Sequence, residues 1–409
     1  MTGSLDTDVI VVGAGPVGLL LAGELRLGGA RVTVLEQLTE PTTESRASTL
    51  HTRTMEILDG HGLLKRIGTL PSGGPGHFGG MPLDLTAAAP GHRWAGQWKC
   101  PQAHLEAVLY AWATELGAQV LRGHVVTGLR SRADRVEAGF IALGTKPAAL
   151  SASYLVGCDG ERSTVRQLAG FEVDGEDGAL EMLRADLAGI DVPNRRFERH
   201  PNGLATAFRW PDGTTRVMVH LHGGRSGPRT GAPDLAEVAE AWAQVTGEDI
   251  SAGTPVWLNA FDNTSLQVTR YVKGRILLAG DAAHVQMPVG GQALNLGLQD
   301  AADLGRKLAG QVTEADRAEE ALGADGAGGT AGAGGAALLD SYHDTRHRIG
   351  AATLTNIQAQ ARLLLGGPEV DGLRSVFGEL LEIGSARRHL ARAISGLGPV
   401  RPGPPHNGT

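Results

Sequence analysis

A short apolar strand that runs directly into a glycine-patterned turn is the feature that most constrains this fold. Residues 8–12 have the composition of a buried strand, and Gly-Ala-Gly-Pro-Val-Gly follows at residues 13–18. A stretch with helical spacing comes next, and a second strand over residues 31–35 ends on Glu36. Such a strand–helix–strand unit usually takes about thirty residues. The chain is therefore predicted to begin with a parallel, Rossmann-type α/β layer.

The three glycines of this turn have separate roles in dinucleotide binding. Gly13 permits a tight turn, Gly15 lets a pyrophosphate approach the backbone, and Gly18 allows the helix to pack closely on the strand. The pyrophosphate would lie at the helix N-terminus, where free N–H groups and the helix dipole favour anions. Glu36 is placed to accept hydrogen bonds from a ribose, which favours FAD or NAD(H) over NADP(H). This complete context favours dinucleotide binding over a structural turn.

A second strand-to-loop-to-helix segment begins at Ile276. Four apolar residues end at Gly-Asp, a loop then passes through Pro288, Gly290 and Gly291, and a helix-patterned stretch begins near Asn295. A buried strand that ends on an acid before a glycine-rich loop and a helix is typical of a site for a flat or anionic ligand.

Strand-rich sequence separates these two segments, which predicts a nucleotide-binding domain interrupted by a β-sheet domain and resumed later. We expect residues 1–175 to form its first part and residues 176–272 to form the β-sheet domain that binds substrate. Residues 273–397 then form the second part and the C-terminal helices. Residues 398–409 are predicted to be a disordered tail.

The C-terminal third has clear helix signals around one low-complexity insert. Residues 323–335 are rich in glycine and lack apolar periodicity, so we expect a mobile surface loop. Residues 336–365 have the pattern of one long helix, which should stop at Gly-Gly-Pro. Two shorter helices are predicted over about 370–382 and 385–395.

Composition argues against several functional classes. The net charge of −7 does not favour nucleic-acid binding. Cys100 and Cys158 lack CxxC spacing and are expected to be buried thiols in the cytoplasm. The N-terminus has neither a signal peptide nor a spanning helix, so no membrane association is expected. His343 and His347 lie four apart without an accompanying acid–His motif, and we predict no metal site.

Three motifs, taken together and in order, resemble one family. The glycine turn with Glu36 is the first, Cys-Asp-Gly-Glu-Arg-Ser-Thr-Val-Arg at residues 158–166 is the second, and residues 280–295 are the third. They resemble the class A FAD-dependent aromatic hydroxylases, which have the para-hydroxybenzoate hydroxylase fold. SRASTLHTRTMEIL, GDAAH, GGQ and LLDSYHDTR are most similar to the branch that tailors polyketides in antibiotic biosynthesis.

The resemblance implies an α/β fold in which a Rossmann-type FAD-binding domain is interleaved with a β-sheet substrate domain, plus C-terminal helices. It implies an NAD(P)H-consuming monooxygenase that hydroxylates a polycyclic, polyketide-type aromatic through a flavin C4a-hydroperoxide. FAD is the implied cofactor, and NADPH or NADH would be a transient reductant because no second GxGxxG follows the Asp159-Gly160 motif. The implied partners are the aromatic substrate and molecular oxygen, in a monomer or homodimer.

The resemblance also implies which residues contact the cofactor. Arg46 and Gln102 should contact FAD, Asp281 its ribityl or phosphate region, and the loop from Pro288 to Gln292 the isoalloxazine. Asp159 should lie near both FAD and the pyridine nucleotide. The implied cofactor-binding set is Gly13, Gly15, Pro16, Gly18, Glu36, Arg46, Gln102, Asp159, Asp281, Pro288, Gly291, Gln292, Ala293, Leu294 and Asn295.

The catalytic residues are not identified from the sequence, and only Pro288, Gly290 and Gly291 of the flavin loop are candidates. His284 is expected to support that loop rather than act as a base. The candidate pocket walls are Phe208, Met218, His220 and Trp257, although ordinary core packing also explains them.

Two departures from the family pattern stand out. Ala293 stands where relatives usually have glycine, and its methyl group disfavours a positive φ. The sequence also ends without the thioredoxin-like C-terminal domain that many polyketide hydroxylases carry.

Three alternatives remain open at this stage. Baeyer–Villiger oxidation would use the same cofactor, and oxidase or dehydrogenase chemistry would omit oxygen insertion. A non-catalytic FAD-binding partner of another tailoring enzyme belongs to a different functional class. Substrate-stimulated NADPH consumption by the isolated protein would separate that partner from an enzyme.

Overall fold

The N-terminal glycine turn follows a strand of a six-stranded, mostly parallel sheet and lies at the edge where the carboxyl ends of the parallel strands meet. The computed structural model describes residues 5–42, 47–142, 144–224, 229, 231–324 and 333–398, without the side chains of 314–324 and 333–336. The first eleven strands are β1 (Val9–Val12), β2 (Val32–Glu36), β3 (Thr49–His51), β4 (Gly76–Phe78), β5 (Met81–Leu83), β6 (Gln97–Lys99), β7 (Gln119–Arg122), β8 (His124–Ser131), β9 (Val136–Ala142), β10 (Ala148–Ala152) and β11 (Tyr154–Gly157). The remaining strands are β12 (Val173–Glu176), β13 (Glu181–Ala188), β14 (Arg195–His200), β15 (Gly203–Arg209), β16 (Thr215–Leu221), β17 (Thr254–Asp262), β18 (Ser265–Val268), β19 (Val272–Lys273), β20 (Ile276–Leu278) and β21 (His284–Gln286).

The helices cover the sheets and form most of the C-terminal part. They are α1 (Pro16–Leu27), α2 (Thr52–Gly60), α3 (Leu63–Ile67), α4 (Gln102–Glu115), α5 (Thr164–Leu168), α6 (Leu235–Thr246), α7 (Gln292–Ala324), α8 (Ala333–Leu365), α9 (Asp371–Glu382) and α10 (Gly384–Ile394). None of the described helices is long and apolar enough to cross a lipid bilayer.

The strand order of the large sheet, β19-β20-β11-β1-β2-β7, creates a switch point at β1. From β1 the chain crosses to β2 on one side, and β11 later pairs with β1 on the other side, both in parallel. β20 extends the sheet in parallel beyond β11, whereas β19 is an antiparallel edge strand. Ligands of open α/β sheets bind outside the carboxyl ends of strands at such a point. The turns after β1, β11 and β20 therefore lie along one edge.

β1 and β2 show no alternation of apolar and polar residues, and burial on both faces of the sheet explains this. All residues of both strands are buried, because helices cover the sheet. α1 packs against β1 and lies between α4 and α7. Ile10, Leu20 and Leu304 belong to the large core cluster that joins this sheet to those helices.

A five-stranded antiparallel sheet, in the order β14-β15-β16-β13-β17, forms the second layer of the molecule. On one face, Leu183 and Val219 pack with the fully buried Trp242 of α6. On the other face, Met182 joins a separate cluster with α8 and the loop after β21. Because side chains alternate along a strand, the sheet has one face against α6 and one face towards the residue 287–291 loop.

Smaller sheets connect these parts. β8, β9 and β10 form one three-stranded sheet, and β12, β18 and β21 form another. β21 belongs to the segment that returns from the antiparallel sheet, and it pairs with β18. β3 pairs with β6, and β4 pairs with β5, in two short antiparallel ribbons.

The predicted α/β fold class is confirmed, and so are the main helix boundaries. The long helix ends at Leu365, directly before the Gly-Gly-Pro signal, and α7 begins three residues earlier than expected. Residues 323–324 and 333–335, predicted as part of a mobile loop, are instead the ends of α7 and α8. Residues 325–332 and 399–409 lie outside the described residues. The domain boundaries remain a prediction.

Candidate active site

In the glycine turn after β1, a side chain would fit at the middle glycine but would clash with backbone at the first and the third. A Cβ atom on Gly13, whose φ is +104°, would lie 2.5 Å from the carbonyl oxygen of Cys158. A Cβ atom on Gly18 would lie 2.0 Å from the carbonyl oxygen of Gly13. At Gly15 nothing lies within 4 Å of that position. The turn is therefore tightly packed against the sheet and open towards the crevice only at Gly15.

The N-terminus of α1 fits an anionic group. Gly15 is the N-cap residue and provides no side-chain hydrogen bond, and Pro16 follows at the first helical position. The N–H groups of the first helical turn have no partner within the helix and attract anions. The open space at Gly15 and this helix end together fit the pyrophosphate of a dinucleotide.

Glu36 connects the end of β2 to the glycine turn. Its Oε2 accepts a hydrogen bond from the Ala14 N–H at 2.6 Å, and its Oε1 accepts one from the Leu38 N–H at 2.8 Å. The side chain is buried. These two bonds hold the carboxylate at the carboxyl end of β2, beside the crevice, where the sequence places a ribose partner.

Asp159 orders the turn that follows β11. Its Oδ1 accepts a hydrogen bond from Ser163 Oγ at 2.6 Å, and its Oδ2 accepts one from the Val165 N–H at 3.0 Å. Burial raises the pKa of this carboxyl despite the hydrogen bonds. The turn contacts Gly13, since a Cβ atom there would lie 3.1 Å from the Asp159 Cα. The Asp-Gly motif therefore lies beside the glycine turn.

Gln102 begins α4 and is tied to the segment that precedes β3. Its N–H donates to the carbonyl oxygen of Ala47 at 3.0 Å, and its Nε2 donates to Glu106 Oε1 at 2.8 Å. Burial raises the pKa of the Glu106 carboxyl.

Arg46 lies outside the described residues, so its predicted contact with FAD stays a prediction.

The Gly-Asp turn after β20 rests on a buried ionic network. Asp300 of α7 accepts hydrogen bonds at Oδ2 from the Gly280 N–H at 3.1 Å, and at Oδ1 from Arg346 Nε at 2.6 Å. His284 Nε2 lies 2.7 Å from the same Oδ2 atom. Asp281 itself is exposed. The network thus holds the backbone of the turn while leaving the Asp281 carboxylate at the surface.

The charges of this network compensate one another. Burial alone would raise the pKa of the Asp300 carboxyl, but Arg346 and His284 outweigh it and lower that pKa. Both His284 and Asp300 side chains are fully buried. His284 has the supporting position expected from the sequence, whereas the roles of Asp300 and Arg346 were not predicted. The available signal was an acid within the apolar pattern of α7 and a basic residue within LLDSYHDTR.

Two consecutive left-handed glycines form the flavin loop before α7. Gly290 has a φ of +65° and Gly291 a φ of +69°, and Pro288 before them is exposed. Ala293 lies inside α7, and Phe197 is the only non-glycine residue with positive φ among the described residues. The expected conflict at Ala293 does not arise, because the helix starts at Gln292.

Asn295 fastens the start of α7 to β3. Its Nδ2 donates to the carbonyl oxygens of Thr49 and Gly291, at 2.8 and 2.7 Å. Its Oδ1 accepts a hydrogen bond from the His51 N–H at 2.8 Å. Leu294 packs against the large core cluster. Asn295 and Leu294 therefore support the loop from the side of α7 and the core.

The four candidate pocket residues lie on one face of the antiparallel sheet. Phe208 is paired with Arg216 across β15 and β16, and Trp257 is paired with Asp186. Met218 and His220 follow Arg216 at two-residue intervals, so all four side chains share the face that does not contact α6. Met218 packs into the cluster that contains Met287 and Val289 of the flavin loop. The sheet face and the loop thus adjoin.

Three basic residues around the flavin loop were missed by the sequence analysis. Lys99 Nζ donates to Thr49 Oγ1 at 2.7 Å, and Thr49 Cβ would lie 2.9 Å from a Cβ atom on Gly291. His51, on the same face of β3, is fully buried. Burial, and then Lys99, lower the pKa of His51 to about 4. His77 has its pKa lowered to about 3, first by burial and then by Arg196 and Lys99. No local sequence signal places these side chains together, since the pairing of β3 with β6 is long-range.

Comparisons with known proteins agree with this geometry. A family model described as FAD binding domain matches residues 6–324. This chain belongs to that FAD-binding family. It is 38% identical over 404 residues to the rifampicin monooxygenase of Streptomyces venezuelae, covering 95% of this chain and 78% of that protein. Identity is 37% over 404 residues to the 12-dehydrotetracycline 5-monooxygenase/anhydrotetracycline 6-monooxygenase of Streptomyces rimosus, covering 95% and 76%.

The solved structure of CabE, an aromatic hydroxylase from angucycline biosynthesis, has the same fold. Its TM-score to this chain is 0.87 at 44% identity, covering 96% of this chain and 76% of CabE. The predicted resemblance to FAD-dependent aromatic hydroxylases of the polyketide-tailoring branch is thereby confirmed. The enzyme is an FAD-dependent monooxygenase, and its glycine turn fits that cofactor. No cluster of three or more potential metal-ligating side chains occurs among the described residues.

The open position at Gly15 allows FAD binding to be separated from folding. In Gly15→Val, the new side chain enters space that is empty of protein atoms, so the melting temperature of the apoprotein should stay close to that of wild type. FAD retention after gel filtration should fall by at least about tenfold, because the side chain occupies the pyrophosphate position. Gly372→Val adds the same group where the α9 backbone is also open, and should retain FAD. Full FAD binding by Gly15→Val would contradict this assignment.

The buried network should be far more sensitive than a surface ion pair on the same helix. Asp300→Asn leaves Arg346 buried without its counter-ion, which typically costs about 3–5 kcal/mol in the free energy of unfolding. Asp303→Asn removes the partner of Lys307 at 2.8 Å, a less buried pair whose loss typically costs about 0–1 kcal/mol. Urea unfolding at neutral pH measures both changes. Equal effects in the two variants would show that the network is not a support of the turn.

Because His51 is buried in its neutral form, the free energy of unfolding is predicted to depend on pH. Because its pKa falls from 6.5 to about 4 on folding, the unfolded chain binds more protons within that window. The free energy of unfolding should therefore fall on acidification from pH 6.5 towards 4, by about 3 kcal/mol at about 1.4 kcal/mol per pKa unit. His51→Gln should reduce the slope and leave the part due to His77, whose pKa is lowered to about 3, whereas the exposed His389→Gln should not change it. An unchanged slope in His51→Gln would show that the imidazole titrates normally.

Proposed function

We propose that this enzyme uses NAD(P)H and molecular oxygen to hydroxylate a polycyclic aromatic compound of the polyketide type. The observation that carries the proposal is the shared cluster of the flavin loop and the antiparallel sheet. Met287 and Val289 of the loop pack with Met182 and Met218 of the sheet. A flavin held by the loop would therefore face the side chains of that sheet. The relatives named above oxidise rifampicin and tetracycline precursors, which supports a large substrate.

The sheet face offers flat π surfaces of the kind that bind polycycles. The Arg184 guanidinium lies 4.4 Å from the ring centroid of Trp257 and 5.2 Å from that of Phe261. The Arg216 guanidinium lies 5.5 Å from Trp257 and 5.4 Å from Trp210. Arg and aromatic groups stack readily on planar ligands. Trp210, Trp257 and Phe261 are thus linked by the two guanidinium groups into one row of such surfaces.

The chain's own groups complete the site around the cofactor. Bound FAD supplies the activation of oxygen, so the protein has to position the aromatic acceptor, exclude water and manage protons. The start of α7 favours negative charge on the reduced ring by about 0.3–1 kcal/mol, and up to about 2 kcal/mol when partly buried. The glycine turn and Glu36 are assigned to the pyrophosphate and a ribose of FAD, and Asp281 is assigned to its ribityl or phosphate region. No second GxGxxG follows the Asp159-Gly160 motif, which supports transient binding of NADPH or NADH.

We assign the remaining properties on the same basis. The cofactor-binding parts are residues 1–175 and 273–397, and the substrate sheet lies within residues 176–272. The enzyme acts in the cytoplasm as a monomer or homodimer, with no nucleic-acid or membrane partner. The net charge of −7 supports this placement.

A substrate-dependent oxidation assay tests the function. FAD-loaded enzyme is supplied with NADPH, isotopically labelled oxygen gas and a panel of polycyclic phenols and quinones. We expect stimulated NADPH consumption and a product that gains one labelled oxygen atom as a ring hydroxyl. Insertion of that atom into a C–C bond would instead identify Baeyer–Villiger oxidation. Reduction of FAD without oxygen incorporation would identify an oxidase or dehydrogenase, and both outcomes would reject hydroxylation.

Truncation of the sheet face provides a mutational check. Trp257→Ala should raise KM for the polycycle by roughly 2- to 10-fold, since an aromatic pair contributes about 0.5–1.5 kcal/mol. Its FAD content should not change. Leu27, at the end of α1 and outside that sheet, is 52% exposed, and Leu27→Ala is the control for truncation of an exposed apolar side chain. Equal KM values for the two variants would place the substrate elsewhere.

A further inference from the structure

Helix α9 has an apolar side that is not covered by the described part of the chain. Four residues of this helix and its C-cap are between 43% and 58% exposed, whereas the other exposed large apolar side chains lie singly or in pairs on other elements. The four are Leu373, Val376, Leu380 and Ile383, and they are called the α9 stripe below. Scattered exposed apolar residues are common on soluble proteins, but a contiguous group of them marks an interaction site.

The α9 stripe is distinct from the side of α9 that packs on the rest of the molecule. Leu381 is buried in a cluster with β4, β5 and α10, and the Phe377 ring stacks on that of Phe78 at a centroid distance of 4.9 Å. Arg374, on the same side, donates hydrogen bonds to carbonyl oxygens of the β4–β5 turn and of α8. At 3.6 residues per turn, the centre of the stripe lies roughly 110° around the helix from this packed side. The helix therefore has a second apolar side that its own fold does not use.

The spacing of the α9 stripe is the same in both directions along the chain. Its intervals are three, four and three residues, which is the spacing of the seam between two packed helices. Two α9 helices can pack antiparallel about a twofold axis at the level of residue 378. Leu373 then faces Ile383 of the second copy, and Val376 faces Leu380 in the same way. Every side chain of the stripe thus meets an apolar counterpart, and one patch serves both copies, as a twofold interface requires.

The charges at the two ends of the stripe agree with an antiparallel arrangement. Glu369 and Asp371 are exposed at its N-terminal end. Arg387 and Arg388 lie near the start of α10, which begins directly after Ile383 at the other end. An antiparallel pair brings the acidic end of one copy to the basic end of the other, at both ends of the contact. A parallel pair would instead place like charges together, which is unfavourable.

A lipid surface fits the α9 stripe less well than a second copy does. Helices that lie in the membrane interface have a polar side rich in Lys and Arg, which anionic lipids attract. The polar side of α9 carries the exposed Glu379 and Glu382 instead, which anionic lipids repel. This acidic side therefore favours a protein as the occupant of the stripe.

We propose that two copies of this chain associate through their α9 stripes, packed antiparallel about a twofold axis. The inference does not depend on the proposed function, because no residue of the stripe belongs to the candidate active site. Stable interfaces bury about 1,200–2,000 Å² in total, and a contact confined to one pair of helices is smaller than that. The dimer should therefore be weak, and its population should depend on the protein concentration.

Sedimentation velocity of the FAD-loaded full chain, from about 1 to about 300 µM, measures the association. The average mass of wild type should rise from that of one chain towards that of two. Val376→Glu should raise the Kd by at least about tenfold, because each dimer would then bury two carboxylates against Leu380 side chains. Leu27→Glu makes the same kind of change at the exposed end of α1 and should leave the Kd unchanged. Because both side chains are exposed, the two variants should keep the melting temperature and FAD content of wild type.

A pair of charge variants tests whether stripe meets stripe. Val376→Glu/Leu380→Glu and Val376→Lys/Leu380→Lys each place like charges on both sides of the proposed contact, so each variant alone should remain monomeric. An equimolar mixture of the two should form a dimer, because every carboxylate then faces an ammonium group of the other chain. Added salt should weaken this mixed dimer, since it screens exposed charge pairs. A contact between the stripe and a different surface of the second copy would not be restored by mixing.

Three results would overturn the inference. The first is a wild type that stays monomeric over the whole concentration range. The second is a Val376→Glu variant that associates as strongly as wild type, which would place the dimer contact on another surface. The third is a mixture of the two charge variants that stays monomeric, which would show that the stripes do not face each other. None of these results bears on the oxygen-incorporation assay, so the proposed function is tested separately.

Discussion

The ionic network around Asp300 is the interaction on which the geometry of the site depends. Asp300 lies in α7, its partner Arg346 lies in α8, and His284 belongs to β21, so three distant segments meet at one carboxylate. The same carboxylate accepts a hydrogen bond from the N–H of Gly280, which starts the Gly-Asp turn after β20. Desolvation of these groups is costly, and only the complete set of partners offsets it. The relative position of the turn and α7 is thereby restricted to one arrangement.

That restriction extends to both ends of the crevice. With α7 fixed, its first turn directs N–H groups towards the flavin loop, and Asn295 connects that first turn to β3. β3 in turn carries Thr49 against Gly291, which positions Lys99 on the opposite strand. On the other side, the loop packs through Met287 on the antiparallel sheet. The Asp300 network therefore determines which side chains come together around the flavin loop, although it does not itself face the antiparallel sheet.

The parts of this architecture that could be predicted from sequence are those determined by local pattern. The apolar run of β1, the glycine spacing and the Gly-Gly-Pro stop are local signals, and the structure has a strand, a helix and a helix end at those places. The network and the hydrogen bond from Lys99 to Thr49 depend instead on contacts between residues far apart in the chain. Lys99 and Thr49 meet only because β3 pairs with β6, and nothing in SRASTLH shows which of its side chains faces the loop. Ala293 was misjudged for a related reason, since its backbone conformation depends on where α7 begins.

The interior around the flavin loop avoids uncompensated charge in two ways. Behind the loop, the Asp300 carboxylate and the Arg346 guanidinium are counter-ions to each other. Beside the loop, the fully buried His51 is kept neutral instead, because burial, and then Lys99, lower its pKa to about 4. Lys99 itself is only half-buried and donates a hydrogen bond to the Thr49 hydroxyl. The loop is therefore supported without an unpaired charge in the interior, which would be costly to desolvate.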